Sequence, residues 1–329
     1  MHRRTLLRSA LPLALAAAGT AGIVSTPRRA WAQDGGTVSL VVPYAPGGAI
    51  DTIGRIFAQQ LSPMLGESWV VLNRSGGNGI IGAQEVARAD PDGRTLMFSA
   101  DIHLVARQVM SKVPYDPIAD FTPVARAAQG PLVLVGSPEL RPQTLAELVA
   151  DAKARPEEYE FANSSLGAMG HLATESFKKL IGADLLVVNY RGTAPALNDV
   201  LSGQVALMMA PLLSVLGHVK AGGLRAYAVT AAQRSRVAPD IPTAAEAGLS
   251  GLEFTVWYAM WGPKGLPSET VQRLNGAVRR MAAMPEVASR LADLGVDPVD
   301  EDPAAFARYI QAEYARNTQI IAEAGIEPM

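Results

Sequence analysis

Three short segments of the sequence could bind a small anion through backbone N–H groups. Residues 43–51, 163–171 and 190–195 are rich in Gly, Ser, Ala and Pro, and each lies between a strand-like run and a helical pattern. A helix N-terminus carries partial positive charge and unpaired N–H groups, which suit a carboxylate or a phosphate. Simpler interpretations remain open: Asp51 could complement the dipole of a tight turn, the second segment could be a polar N-cap, and Arg191 could be either an anion clamp or an exposed side chain.

A fourth segment offers a different chemistry. Gly77, Gly79 and Gly82 satisfy the spacing of a dinucleotide-binding fingerprint, and Asp101 follows nineteen residues after Gly82. Two features argue against this interpretation: residues 73–76 separate the preceding strand from the motif, and the motif follows the second strand of the chain instead of the first. A nucleotide-dependent oxidoreductase is therefore kept as the alternative.

Composition excludes several classes of active site. The 329 residues include no Cys, and the sequence has no metal-binding His motif, no nucleophile elbow and no P-loop. His171, at the start of a predicted helix, is more typical of a cap or packing residue than of a catalytic base. We therefore predict no catalytic residue, no metal and no cofactor. Beyond residue 32 the chain has 24 basic and 31 acidic residues, which argues against nucleic-acid binding.

The first 32 residues are typical of an export signal. A basic head with Arg3 and Arg4 precedes fifteen mostly apolar residues, and Ala30-Trp31-Ala32 provides a cleavage site of small residues. The paired arginines resemble a twin-arginine signal, although a general secretory signal fits nearly as well. The apolar run is shorter than a transmembrane helix requires. The sequence thus predicts a protein cleaved near Ala32 and exported to the periplasm.

Strand-like and helix-like segments alternate along the rest of the chain. Strands separated by helices of 10–15 residues predict βαβ units and parallel sheets, and their number predicts two α/β domains. Pro-rich segments at 114–123 and 239–242 are the expected crossings, and a structureless stretch at 239–256 is expected to lead back. The predicted domains are 33–134 plus 255–329 for domain 1 and 135–254 for domain 2. Strands are expected at 132–135 and 185–188, among others, and Trp257 and Trp261 are expected in the core.

Six motifs along the chain are characteristic of one protein family. They are Val42-Pro43-Tyr44-Ala45-Pro46-Gly47-Gly48 with Asp51, residues 73–82, Asp92-Gly93-Arg94-Thr95-Leu96, Tyr115-Asp116-Pro117 with Asp120-Phe121 and Pro123, Val188-Asn189-Tyr190-Arg191-Gly192, and 234–248. With these motifs the sequence resembles the Bug family, the extracytoplasmic receptors of tripartite tricarboxylate transporters. The resemblance covers essentially all of 37–329, with the motifs in family order.

The resemblance implies a type II periplasmic-binding-protein fold, in which two α/β domains close on a solute. It implies a small organic carboxylate held by backbone N–H groups and hydroxyls, transfer to membrane transporter subunits, no enzymatic activity and a monomer. A solute sensor that docks to a signalling kinase shares these features and remains a further alternative. By motif position, the ligand-binding residues are Tyr44, Ala45, Pro46, Gly47, Gly48 and Ala49 on domain 1, and Ser164, Ser165, Gly167, Ala168, Gly192, Thr193 and Ala194 on domain 2.

Ser99 and Asp101 complete the predicted site and depart from the family pattern. They lie at the end of a strand that we expect to face the cleft. If the Asp101 carboxylate reaches the ligand, it would disfavour a second carboxylate there and favour an amino or hydroxyl group. The sequence identifies neither the solute nor its class.

Overall fold

The computed structural model describes residues 36–190 and 192–329; the predicted export signal and Arg191 lie outside them. Ten strands form a sheet of order β2-β1-β3-β9-β4-β7-β5-β6, with β8 and β10 paired to β4. The strands are β1 Thr37–Val42, β2 Ser68–Asn73, β3 Thr95–Ala100, β4 Phe121–Gly136, β5 Phe161–Asn163, β6 Val187–Asn189, β7 Leu207–Pro211, β8 Arg225–Val229, β9 Thr255–Pro263 and β10 Asp297–Pro298. The helices are α1 Ala49–Leu65, α2 Ile80–Ala87, α3 Ala106–Val109, α4 Leu145–Ala154, α5 Met169–Ile181, α6 Thr193–Leu201, α7 Leu212–Lys220, α8 Ser268–Ala282, α9 Pro285–Asp293 and α10 Pro303–Glu323. The predicted α/β class is confirmed.

The helices begin and end where the local sequence predicts. Helix α1 buries Ile53, Phe57 and Leu61 on one face and ends at Gly66, whose φ of 67° lies in the left-handed region that favours glycine. Helix α4 begins at Thr144, whose hydroxyl accepts the Glu147 N–H as in a capping box. None of the helices in 36–190 or 192–329 is long and apolar enough to cross a membrane.

Strand β4 connects two groups of strands. Its residues 121–131 pair antiparallel with β9, whereas residues 132–136 pair with β7 and β8. We call β1, β2, β3, β9, β10 and the first part of β4 the first strand group. The second strand group comprises β5 to β8 and the last part of β4. The predicted boundary at 134/135 lies within β4, and the boundary at 254/255 directly precedes β9. The division into two domains stays a prediction.

Three elements differ from expectation. The strand expected at 132–135 is only the end of the 16-residue β4. This strand continues through two prolines, because Pro123 lies at a register shift and Pro131 lies where the pairing partner changes. The strand expected at 185–188 is β6, which starts at Val187. The stretch 239–256 is mostly turns, but its last two residues already belong to β9.

The interior of the first strand group is built around aromatic residues of β9. Trp257 and Trp261 are both buried, as predicted, and both pack against Phe306 of α10 at ring-centroid distances of 5.9 and 5.4 Å. Aromatic side chains contribute large buried areas to a core. This packing fixes the end of the chain against the strand that leads back from the second group.

Helix α5 packs closely against β7, and this contact predicts a large effect of one methyl group. A Cβ at Gly170 would lie 2.4 Å from the Met209 carbonyl oxygen, whereas a Cβ at Gly217 of α7 would meet nothing within 4 Å. We expect Gly170→Ala to lower the free energy of unfolding by about 2 kcal/mol through overpacking. The matched control Gly217→Ala should raise it by about 0.5–1 kcal/mol through helix propensity. Urea unfolding of both variants checks the pair, and equal effects would contradict the contact.

Candidate functional site

The loop that follows β1 is held in place by Asp51, a buried acid in the first turn of α1. Its carboxylate accepts hydrogen bonds from the Gly47 N–H at 2.9 Å, from Arg55 Nε at 3.0 Å and from Asn73 Nδ2 at 3.0 Å. Burial raises the pKa of Asp51, but these donors outweigh burial and lower it. No side chain caps α1. Asp51 therefore organises the loop, occupies the Gly47 N–H and leaves the N–H groups of Ala49 and Ile50 in the uncapped first turn.

The second predicted loop leads from β5 into α5. The Gly167 N–H donates to Nδ1 of His171 at 3.1 Å, so His171 acts as the expected cap. Burial lowers the pKa of His171 to about 4, which keeps the ring neutral at pH 7. Ser164, Ser165 and Ala168 are half-buried on this loop, and the Ala168 N–H donates to the Ser165 carbonyl at 3.1 Å.

The third predicted loop lies beside the second. Strands β5 and β6 are parallel neighbours, which places Asn163 opposite Asn189 at their carboxyl ends. Asn163 Nδ2 donates to Asn189 Oδ1 at 2.6 Å, and the Gly192 N–H donates to the Ser164 carbonyl at 2.9 Å. Gly192, with φ of 124°, precedes α6, which no side chain caps. The structure thus brings together two of the three predicted loops.

The two strand groups contact each other at these loops. Asn78 Nδ2 donates to the Leu166 carbonyl at 3.0 Å. Gly167 packs so closely against α3 and the residues before it that an added Cβ would lie 2.9 Å from Val109 Cγ1 and 3.0 Å from Val105 Cγ2. We call this the closed contact. None of the three contacting residues of the first group, Asn78, Val105 and Val109, is predicted from the sequence. Only Asn78 has a signal there: it lies between two glycines, and its φ of 55° is one that Asn tolerates.

The segment with Gly77, Gly79 and Gly82 carries Asn78 of the closed contact, while its glycines pack within the first strand group. A turn at Gly77–Gly79 separates β2 from α2, and a Cβ at Gly82 would lie 2.8 Å from the Arg74 carbonyl oxygen. The glycines therefore allow close approach between loops. Asp101, which would bind a ribose in the alternative, is buried with its carboxylate turned to the protein backbone.

Ser99 and Asp101 lie at the end of β3, where this strand meets the start of α5. We call this buried region the floor of the candidate site. Asp101 Oδ2 accepts the Trp257 N–H at 3.3 Å, and the Met169 N–H at the start of α5 also stabilises the carboxylate. Burial nevertheless raises the pKa of Asp101 to about 7. Ser99 is buried and its Oγ has no hydrogen-bond partner within the described part of the chain. The Tyr44 hydroxyl approaches Ser99 without forming a hydrogen bond of acceptable geometry, and burial raises the pKa of Tyr44.

The remaining predicted residues lie on the more exposed side of the loops, which we call the mouth of the candidate site. Ala45, Pro46, Gly47, Gly48 and Ala194 are exposed, and Ala49 and Thr193 are half-buried. Two surface depressions are also present: one of about 390 Å³ lies between α1, from Asp51 to Ile56, and residues 290–294, and one of about 240 Å³ is lined by residues 231–237 and 292–297. We place the candidate site at the loops and not at these depressions, because two of the loops lead into uncapped helix N-termini and Tyr44 of the first loop lies beside Ser99, whose buried hydroxyl is unpartnered.

Within residues 36–190 and 192–329, no three His, Asp or Glu side chains are grouped so that they could hold a metal ion. The ionisable groups near the floor are carboxyl and phenol groups. This arrangement suits a ligand bound by N–H and hydroxyl donors at the mouth, with an acceptor at the floor.

The chain is similar to proteins of one family. A family model described as "Tripartite tricarboxylate transporter family receptor" matches residues 53–326. Protein BugT of Bordetella pertussis is 34% identical over 98% of each chain. The solved structure of R. palustris Rpa4515 with adipate has 37% identity and a TM-score of 0.84, covering 89% of this chain and 98% of that one. The periplasmic binding protein BugD has 32% identity and a TM-score of 0.81, covering 89% and 99%.

These similarities confirm the predicted periplasmic-binding-protein fold and the predicted family resemblance. They give no support to the nucleotide-dependent oxidoreductase or to the signalling receptor. The family and the structural neighbours are binding receptors.

Proposed function

The chain belongs to the tripartite tricarboxylate transporter family receptors, and from this premise we propose that it binds a small organic carboxylate between its two strand groups. The observation that carries the proposal is the pair of helix N-termini, of α1 and α6, which follow two of the predicted loops without side-chain caps. Such termini favour anions through their N–H groups and their dipoles.

The proposed binding residues divide into two sets. In the first group, the loop from Tyr44 to Ala49 leads to the N–H groups in the first turn of α1. In the second group, Thr193 and Ala194 offer the N–H groups at the start of α6. Each hydrogen bond to a charged carboxylate contributes about 1.5–3 kcal/mol. Three or four of them, after the entropy costs of binding, correspond to micromolar affinity, about −8 kcal/mol. The other residues proposed to line the ligand are Ala45, Pro46, Gly47, Gly48, Ser164, Ser165, Gly167, Ala168 and Gly192; the N–H groups of Gly47, Gly167, Ala168 and Gly192 already donate within the protein, so these four contribute shape and not N–H donors.

Closure of the two groups is the proposed response to the ligand. A solute that contacts both groups favours the arrangement in which they touch, because the additional contacts exist only there. The Asn78–Leu166 hydrogen bond and the packing of Gly167 are the protein contacts of this arrangement. The predicted domains, 33–134 with 255–329 and 135–254, are the two bodies proposed to move, except that residues 132–134 pair with β7 and β8 and so move with the second group.

The biological setting follows from the same premise. We propose that the chain is exported to the periplasm through a signal cleaved near Ala32, acts as a monomer without catalytic activity, and delivers its solute to membrane transporter subunits. The solute of Rpa4515, adipate, supports the carboxylate class.

Thermal-shift screening of a broad carboxylate panel, followed by calorimetry, tests the proposed function. We expect at least one di- or monocarboxylate to bind with a dissociation constant in the micromolar range, about −8 kcal/mol. The methyl esters of the same acids provide a matched control: they lack the charge and should not bind. A panel without any response, or equal binding of acids and esters, would contradict the proposal.

A further inference from the structure

Two buried hydroxyl groups beside Asp101 have no hydrogen-bond partner in the described residues. Ser99 lies two residues before Asp101 on β3, and Tyr258 lies opposite Ala100 on the neighbouring strand β9. Each is 1% exposed, and neither Ser99 Oγ nor Tyr258 Oη is bonded. Leaving a buried hydroxyl unpaired costs free energy, so such groups usually bond to water or to a ligand. These atoms therefore indicate a place for a polar group at the floor.

Asp101 is flanked by a carboxylate and by phenols, whereas the guanidinium groups of Arg126 and Arg316 lie against Tyr309 and Glu313. Asp101 is 3% exposed, and Glu313 of α10 is close enough to raise its pKa. The phenols of Tyr44, Tyr258 and Tyr309 face Asp101 from the β1 loop, β9 and α10, respectively. None of the contacts that shift the pKa of Asp101 comes from a Lys, an Arg or a His.

His103 does not supply the missing positive charge. Its Nε2 lies 2.9 Å from the Pro117 carbonyl oxygen, and burial lowers its pKa to about 4. The Met169 N–H at the start of α5 acts to lower the pKa of Asp101, so this helix N-terminus faces the Asp101 carboxyl group. The protein thus places its own carboxyl group at the α5 N-terminus, where a second carboxylate of a solute would otherwise bind.

We infer that the floor selects solutes that carry one carboxylate and, at the other end, a hydrogen-bond donor, a hydroxyl or an ammonium group, in place of a second carboxylate. The inference rests on the proposed function. A hydroxyl can donate to Asp101 and accept from Ser99 or Tyr258, and an ammonium can donate to all three oxygens. A second carboxylate about 5 Å from Asp101 would bind about 100-fold more weakly at pH 9, because Asp101 must first take up a proton there; at pH 7, close to its pKa of about 7, this cost is small. In this respect the chain differs from Rpa4515, whose structure holds the dicarboxylate adipate.

Matched ligand series test this selectivity. For each chain length from four to eight carbons, calorimetry at pH 9, where Asp101 is ionised, compares the dicarboxylate, the ω-hydroxy acid, the ω-amino acid and the plain monocarboxylate. We expect the best-bound length to favour a hydroxy or amino acid over the dicarboxylate by about tenfold or more. Asp101→Asn should shift that ratio toward the dicarboxylate by about tenfold, because it removes the charge and keeps an acceptor.

Asp184→Asn is the control, because it removes the same charge from a side chain that is fully exposed. It should leave the ratio unchanged, and a thermal melt verifies that Asp101→Asn folds. A wild-type preference for the dicarboxylate, or an unchanged ratio in Asp101→Asn, overturns the inference and leaves the proposed function standing. Absence of binding by every carboxylate contradicts the proposed function, and the inference falls with it.

Discussion

Gly167→Leu is expected to weaken solute binding by about 100-fold or more while the protein stays folded. In the closed contact a Cβ at this position would lie within 3.0 Å of methyl groups of Val105 and Val109, both fully buried. A leucine cannot fit there unless the two strand groups separate. Since the proposed affinity depends on ligand contacts from both groups, the variant should bind only through one of them.

The positive φ of Gly167, 78°, requires a control, because any side chain is strained in that conformation. Gly182→Leu provides this control. Gly182 follows the last residue of α5, the helix that begins just after Gly167; its φ is 65°, and nothing lies within 4 Å of an added Cβ. We expect Gly182→Leu to lose stability but to retain affinity. In the milder Gly167→Ala background, Val109→Ala should restore part of the binding by creating space. Equal affinities of wild type and Gly167→Leu would contradict a binding mode that requires closure.

Between pH 4 and pH 8, the free energy of unfolding of Asp101→Asn is expected to rise by about 4 kcal/mol relative to that of the wild type. Burial raises the pKa of Asp101 from 3.8 to about 7 in the folded state. The folded protein therefore binds this proton more tightly than the unfolded chain does. The resulting stabilisation is fully present below pH 3.8 and is lost as the pH rises through about 7. The neutral asparagine avoids the cost of burying a charge at high pH.

The test is the difference between the variant and the wild type in urea unfolding at each pH. His103 and His171 act in the opposite direction, because burial lowers the pKa of each to about 4, and their contribution is lost as the pH falls from 6.5. This contribution is common to both proteins and cancels in the difference. Asp184→Asn should follow the wild type. Parallel stability profiles of Asp101→Asn and the wild type would show that Asp101 does not bury a charge.

The repeating βαβ pattern was readable because each element has its own periodicity. Ile53, Phe57 and Leu61 recur at helical spacing in α1, and β1 is a short run rich in β-branched residues. The long β4 was not readable in the same way. Its prolines normally exclude a central strand, and only the change of partner at Pro131 and the irregular pairing near Pro123 permit them.

The candidate site shows the same limit. Glycine-rich segments could be predicted at strand ends, since backbone donors near helix starts leave a compositional signal. The partners that close the site could not: Val105 and Val109 appear as ordinary apolar residues in the sequence, and only the tertiary fold places them against Gly167. Asp101 was recognised as an unusual acid, but its contact with the start of α5, 68 residues away in the sequence, depends on how the two groups meet.

A crystal structure of the protein with the tightest-binding carboxylate of the panel tests the central claim most directly. The account predicts a carboxylate between the two strand groups, within hydrogen-bond distance, about 3 Å, of N–H groups in the first turns of α1 and α6. Asn78 should remain bonded to Leu166 in that complex. A ligand bound instead in the depression lined by α1 and α9, or one held by a single strand group, would contradict the account.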